Sequence, residues 1–316
     1  MLPGPAVAQV SGASSSAGRL VTGRSAAAGS DRAYTLFVPE VAPLAGGRVL
    51  VVMLHGCTQD AADAMRGTQM NRYAAPHGVF VLYPEQRADK HPQKCWQWYT
   101  PGEMKRDGGE VAIVASMVRE VIASHGIDPA RVYVAGMSAG AAMAANLVAA
   151  YPELFAAMAV HSGIAAGAAT DVMSGIAAMR SGPTADGNTL GMGVLTAMAG
   201  RVREVPLLVL HGTADGVVSA RNASSLVQQW LVVNTTARRM APPREPSRHE
   251  TVETKDRYSA THEVWTSTDG AVLVESYLVD GLGHAWSGGD PSGSFTDPKG
   301  PDASALILRF FLNGAT

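Results

Sequence analysis

Gly136-Met-Ser-Ala-Gly140 is the run with the clearest chemical meaning in this chain. It follows a short apolar run, Arg131-Val-Tyr-Val-Ala135, and opens an alanine-rich stretch, 139–150, so it reads as a strand–turn–helix junction. A turn that tight leaves no room for bulk two residues before or after the serine. It pushes the Ser138 hydroxyl out of the sheet edge, and the start of the helix aims free N–H groups at the reacting oxygen. The chemistry implied is nucleophilic attack by Ser138 on an acyl carbon. A serine hydroxyl is a weak nucleophile until a base takes its proton, and that base needs an acid to hold its tautomer.

Five of the nine histidines follow Ser138: His161, His211, His249, His262 and His284. His161 and His211 end predicted strands inside the sheet. His249 sits in a polar stretch, and His262 opens His262-Glu-Val-Trp-Thr266, which alternates like a strand. His284 lies in Asp280-Gly-Leu-Gly-His-Ala-Trp286, a glycine-rich loop after the last predicted strand, and is the expected base. The expected acid is Asp215, in Gly212-Thr-Ala-Asp215 after the strand that ends at His211. Asp280 is the rival acid, but it reads as the end of its strand. Leu54-His-Gly-Cys-Thr58 follows the first core strand, where a loop N–H can hold an oxyanion. The N–H groups of Cys57 and Ala139 are the candidates, and such donors are worth about 3 kcal/mol each in a transition state.

The elements that must position these residues are legible as apolar runs. Residues 48–55, 79–83, 131–135, 156–160, 206–210 and 272–279 read as strands buried on both faces. Residues 61–75, 108–125, 139–150, 221–233 and 302–313 carry helical patterns between them; Val111, Val114, Ala115, Val118 and Ile122 form one stripe. This alternation predicts an α/β fold with a mostly parallel central sheet and helices on both faces. A single domain is expected over 31–316, behind a flexible N-terminal arm, 1–30, that is rich in Ala, Gly and Ser. Residues 164–203 interrupt the alternation, either as a cap over the carboxyl edge or as a helical excursion on the flank. Residues 235–260 read as an exposed polar excursion.

The 316 residues are 47% apolar and 16% charged, with a formal net charge of −2, which excludes a disordered chain. No Lys/Arg-rich block marks a nucleic-acid binder, and no run approaches 18 apolar residues, so no membrane insertion is expected. Two cysteines, Cys57 and Cys95, exclude a four-cysteine zinc site and a disulfide-built mini-protein but allow one bridge. The mechanism sketched above needs neither metal nor cofactor. Ala6-Val7-Ala8 fits a signal-cleavage pattern without the basic and apolar segments that should precede it. A trimmed export precursor and a chance match both stand open.

With Leu54-His-Gly-Cys-Thr-Gln59, Cys95-Trp-Gln-Trp98, Gly136-Met-Ser-Ala-Gly140 and Gly283-His-Ala-Trp286 in that order, the sequence resembles the polyhydroxybutyrate depolymerase family of esterases, over residues 31–313. This branch borders on feruloyl and acetylxylan esterases. The resemblance implies an α/β-hydrolase catalytic domain acting on short hydroxyalkanoate esters or polyester, with Ser138, Asp215 and His284 as its triad. It also implies a Cys57–Cys95 disulfide, and with it an extracellular or periplasmic protein. No fibronectin-like linker or polymer-binding domain follows residue 313, so weak attack on crystalline polymer is expected. Trp96, Trp98 and Trp286 flank these motifs. They are expected to line an apolar groove beside Met137, unless they are ordinary core aromatics. Plant cell-wall esters are the alternative substrate. A peptidase or a non-catalytic relative of this fold is less well supported, because no peptide-gripping domain is evident and no triad member is missing.

Overall fold

The computed structural model describes residues 10–11, 18–43, 45–253 and 255–313. The chain opens with β1 (Val10–Ser11), β2 (Gly18–Ala27), β3 (Ser30–Pro39) and β4 (Arg48–Leu54). Then come α1 (Ala61–Thr68), α2 (Met70–Ala74), β5 (Val79–Glu85), α3 (Pro101–Met104) and α4 (Gly109–His125). β6 (Ile127–Met137), α5 (Ala139–Ala150), β7 (Ala157–His161), α6 (Val172–Ser181) and α7 (Gly187–Ala197) follow. The last third holds β8 (Leu207–Gly212), α8 (Arg221–Ala237), β9 (Arg248–Val252), β10 (Ala260–Thr266) and β11 (Val272–Val279). It closes with the short pair β12 (Trp286–Ser287) and β13 (Thr296–Asp297), and with α9 (Ala303–Asn313).

Among the described residues one sheet runs in the order β1-β2-β3-β5-β4-β6-β7-β8-β11-β10-β9. Its centre, from β5 to β11, is parallel. The margins are antiparallel. All six predicted core strands lie in the parallel part, because only strands covered on both faces read as continuous apolar runs. β4 shows the logic. Leu50, Val52 and Leu54 enter one core with α4, α5, α7 and α8. Val49, Val51 and Met53 enter a second core with α1, α2 and α9. Successive side chains of a strand point to opposite faces, so the helices cover both sides of the sheet.

The expectation of a loose arm over 1–30 fails for residues 18–27, which are β2 and pair with β3 along their whole length; residues 1–9 and 12–17 lie outside the described residues. The reason is chemical. In β2 only Val21 and Ser25 are buried, so no apolar alternation marks it. Gly23 sits under the Tyr34 ring of β3, where a Cβ would come within 2.3 Å of it. The excursion predicted over 235–260 is exposed over much of its described length, but Thr235 and Ala260 are buried and it holds the end of α8 and the edge strand β9.

The 164–203 segment divides between its two alternatives. α7 lies on the flank. Gly187 and Gly191, one turn apart, let it approach α8 so closely that a Cβ would come within 2.2 Å of Gln228 and 2.7 Å of Val232. Leu190, Val194 and Met198 are buried in the core beside it. α6 instead sends Met179 into the cavity described below.

Candidate active site

β6 ends directly beneath the serine. Ser138 adopts φ 55° and ψ −121°, a conformation that L-residues avoid and that sharp functional turns impose. Its N–H donates to His161 O at 3.0 Å, and its carbonyl accepts from Ala142 N at 3.0 Å. The flanking glycines are required by space. A Cβ on Gly136 would lie 2.5 Å from the carbonyl carbon of Gly140, and one on Gly140 would lie 2.2 Å from Leu54 O. Among the described residues the Ser138 hydroxyl has no hydrogen-bond partner, and it opens into a cavity of about 250 Å³ that His284 also lines.

The parallel pairing of β8 with β11 brings together the loops that follow them. Asp215, on the loop after β8, has a fully buried side chain. Its Oδ1 accepts the N–H groups of Val217 at 2.9 Å and Val218 at 2.8 Å. Its Oδ2 lies 2.7 Å from Nδ1 of His284, on the loop after β11. Burial pushes the Asp215 carboxyl up, but the His284 hydrogen bond and charge and the two backbone donors outweigh it, and the pKa falls below the usual carboxylate range. Asp280 stands apart, with its carboxylate accepting from the Ser259 hydroxyl at 3.4 Å.

Cys57 lines the cavity and is bonded to Cys95 in a disulfide. The N–H groups of Cys57 and Ala139 donate to no acceptor among the described residues. Behind Cys57, Gly56 N–H donates to Gln59 Oε1 at 2.8 Å. His55 is buried between Gly56 O, 2.7 Å from its Nδ1, and Gln86 N–H, which donates to its Nε2 at 3.0 Å. That pairing requires a neutral ring, and burial lowers its pKa to about 4. The histidine of the Leu54–Gln59 motif therefore ties β4 to the end of β5.

The tryptophans do not form the expected groove. Trp96, Trp98 and Trp286 are buried, and none of them lines the cavity. Trp96 donates its indole N–H to His55 O at 3.2 Å. Trp98 packs among Cys95, Ala139 and Ala142. Trp286 stacks on His161 at 5.0 Å between ring centroids and donates to Ser304 Oγ at 3.1 Å. They support the wall instead of facing a ligand. Met137 does line the cavity.

Several contributors escaped the sequence reading. The apolar wall is completed by Met179, Val217 and Phe295, and the polar wall by Gln59 and Gln93. Phe295 is the only aromatic residue between Trp286 and Phe310, in a Gly/Ser-rich loop downstream of His284, which was its available signal. His161 accepts Ser287 N–H on Nε2 at 3.1 Å and so anchors the loop that carries His284. Burial lowers its pKa to about 3, which keeps the ring neutral and able to accept. Two larger clefts, of about 560 and 880 Å³, lie around the β9–β11 margin, and neither Ser138 nor His284 lines them. Among the described residues no group of three or more His, Cys, Asp or Glu side chains is arranged to hold a metal ion, and no helix is long and apolar enough to cross a membrane.

A serine at a strained strand–helix turn, with an Asp–His pair on the loops after β8 and β11 of a parallel sheet, defines the α/β-hydrolase class. A solved acetyl xylan esterase from Aspergillus awamori shares that fold. It superposes with a TM-score of 0.66 at 24% identity, over 80% of this chain and 89% of that one. The chain belongs to the family described as Esterase PHB depolymerase, whose model matches residues 32–252 and so takes in Ser138 and Asp215 but stops short of His284. Poly(3-hydroxyalkanoate) depolymerase C of Paucimonas lemoignei is 33% identical over 240 residues, 74% of this chain and 54% of that protein. Feruloyl esterase B of Thermothelomyces thermophilus is 31% identical over 188 residues, 57% of this chain and 64% of that protein. The chain thus spans between half and two thirds of the length of these relatives.

Proposed function

We propose that this protein is a serine esterase that hydrolyses short-chain hydroxyalkanoate esters or polyester through Ser138, His284 and Asp215. The observation that carries the reading is the shared cavity: an outward-turned serine and an imidazole held by a buried carboxylate line the same 250 Å³ space. His284 takes the Ser138 proton through Nε2, while Asp215 holds the Nδ1 proton and stabilises the imidazolium. Ser138 attacks the ester carbonyl, and the developing oxyanion is received by the N–H groups of Cys57 and Ala139, which no described acceptor engages. The imidazolium then protonates the departing alcohol. Water, activated by the same base, releases the acid from the acyl-enzyme.

The likeness to a named polyhydroxyalkanoate depolymerase over most of this chain favours hydroxyalkanoate esters. The feruloyl esterase likeness favours the second reading, plant cell-wall esters. The disulfide supports a place outside the reducing cytosol, extracellular or periplasmic. The deciding experiment is a hydrolysis panel of p-nitrophenyl esters, hydroxybutyrate oligomers, amorphous polymer and methyl ferulate, run with the parent and Ser138→Ala. The reading requires the hydroxybutyrate substrates to be turned over and Ser138→Ala to lose about a million-fold in kcat. A folded Ser138→Ala protein with near-parent turnover would refute the mechanism. Preference for ferulate over the oligomers would refute the substrate.

A further inference from the structure

We propose that Phe295 is the residue that reads the alcohol half of the ester; the inference rests on the proposed roles of Ser138 and His284. Phe295 lines the cavity and meets His284 edge-to-face, at 6.3 Å between ring centroids and 74° between planes. Its backbone lies in the left-handed region at φ 52°, which a bulky aromatic residue adopts only under constraint. Burial does not explain the arrangement, because the residue is 45% exposed. The constraint comes from its neighbours. Phe295 O accepts Trp286 N–H at 2.6 Å. Ser294 N–H donates to Asp63 Oδ1 at 3.2 Å, and Gln59 Nε2 donates to Ser294 O at 3.1 Å. Gln59 is also the side chain that holds Gly56 N–H, so one amide links the loop carrying Cys57 to the loop presenting Phe295.

The chemistry of the reaction says which half of the substrate the ring meets. The alkoxide must leave within reach of the imidazole that protonates it. What is attached to that oxygen therefore lies against the neighbours of His284 in the cavity, and Phe295 is the aromatic neighbour. The acyl half is fixed instead by Ser138 and the oxyanion donors. An exposed phenyl ring at that point gains by covering hydrocarbon, so it favours alcohols with an apolar stem, including the hydroxyacyl unit of an oligoester, over small ones.

The test uses two ester series. One fixes the acid and lengthens the alcohol from methyl to hexyl. The other fixes the alcohol and lengthens the acid. In the parent, kcat/KM is expected to rise with alcohol length. Phe295→Ala should flatten that rise, losing about tenfold more on the hexyl than on the methyl ester, and should leave the ranking of acids unchanged. Esters that share an acid also share an acyl-enzyme, so where deacylation limits turnover the change should appear in KM and leave kcat in place. Phe295→Leu should recover most of the slope. Phe295→Gly should match the alanine variant in selectivity while relieving the backbone. An equal loss across both series, or a change confined to the acid series, would overturn the proposal and leave the esterase reading standing. Hydrolysis that survives Ser138→Ala would instead remove the reading on which it rests.

Discussion

Asp215 and His284 stand 69 residues apart in the chain and 2.7 Å apart in space. Their meeting depends on β8 and β11 being parallel neighbours, so that both loops emerge at the same edge of the sheet. Asp280 is only four positions from His284, yet it bonds Ser259. Asp215→Asn should therefore lower kcat by about ten-thousandfold, as loss of the tautomer-holding carboxylate does in a serine protease, whereas Asp280→Asn should stay within a few-fold of the parent. Steady-state kinetics on one p-nitrophenyl ester checks both, and the reverse order would mean that the acid is wrongly assigned.

The Cys57–Cys95 bridge closes a loop with a sequence separation of 38. The chain-entropy model assigns about 4 kcal/mol of stability to such a loop. Reduction, or Cys95→Ser, should lower Tm accordingly. It should also lower kcat more than it raises KM, because it untethers the Cys57 N–H, the proposed oxyanion donor. Calorimetry and kinetics with and without reductant test the pair. An unchanged kcat in the reduced protein would sever the bridge from catalysis.

Arg32 on β3 and Glu110 on α4 form a buried ion pair at 3.0 Å. Gln86 joins it, accepting from Arg32 Nε at 2.7 Å, and its amide also donates to Cys95 O at 3.0 Å. Glu110 Oε2 accepts the Gln97 N–H at 2.8 Å. Arg32→Ala leaves the carboxylate buried without its cation and should cost about 3–5 kcal/mol in urea unfolding. Arg32→Ala combined with Glu110→Gln should recover part of that loss. A double variant no more stable than the single one would mean that the charge pairing is not what Arg32 contributes.

His262 on β10 faces two carboxylates, with Nδ1 3.0 Å from Glu250 and Nε2 3.0 Å from Glu275. Glu275 also accepts from Tyr277 and Arg309. Burial favours the neutral ring, but the bonds and charges of Glu275 and Glu250 outweigh it, and the pKa is raised. A raised folded-state pKa contributes stability that is fully present below the unfolded value, about 6.5, and is lost as pH rises through the folded value. The Tm advantage of the parent over His262→Gln should therefore shrink as pH rises past about 6.5. A difference that grows with pH would reverse the assignment.

The parts of the fold that were legible are those where burial is two-sided. Val49 to Leu54 and Val79 to Tyr83 face helices on both sides and can be nothing but apolar. β2 and β9 were not legible, because their sides face solvent or an aromatic ring from the next strand. The region 61–75 read as one helix, but Gln69 turns left-handed at φ 52° and splits it, with its amide bonded to Asp290 far along the chain. In the site, Ser138, Asp215 and His284 could be read because each sits at a fixed offset from a strand end. Phe295 has no such offset, and His161, although it ends β7, carries no local mark of its bond to the loop of His284. The part His161 plays appears only in a bond to Ser287, 126 positions on, and that of Phe295, a lone aromatic in its loop, only once the fold sets its ring against His284.

α5 carries the serine turn at its head, and all twelve of its residues are buried. Its one amide side chain, Asn146, bonds Ala142 O at 3.0 Å and Trp98 O at 3.4 Å, so even that position faces inward. Most helices own a wet side that absorbs random change at little cost. This one has none, and Gly140 already touches the backbone of β4. A saturation scan of α5 would find no permissive stripe: larger residues would overpack it, and charged ones would have no route to water. The twelve residues behind Ser138 should therefore exchange only among small and apolar kinds, while change is absorbed where side chains are exposed, as on α6 and at the β9 margin of the sheet.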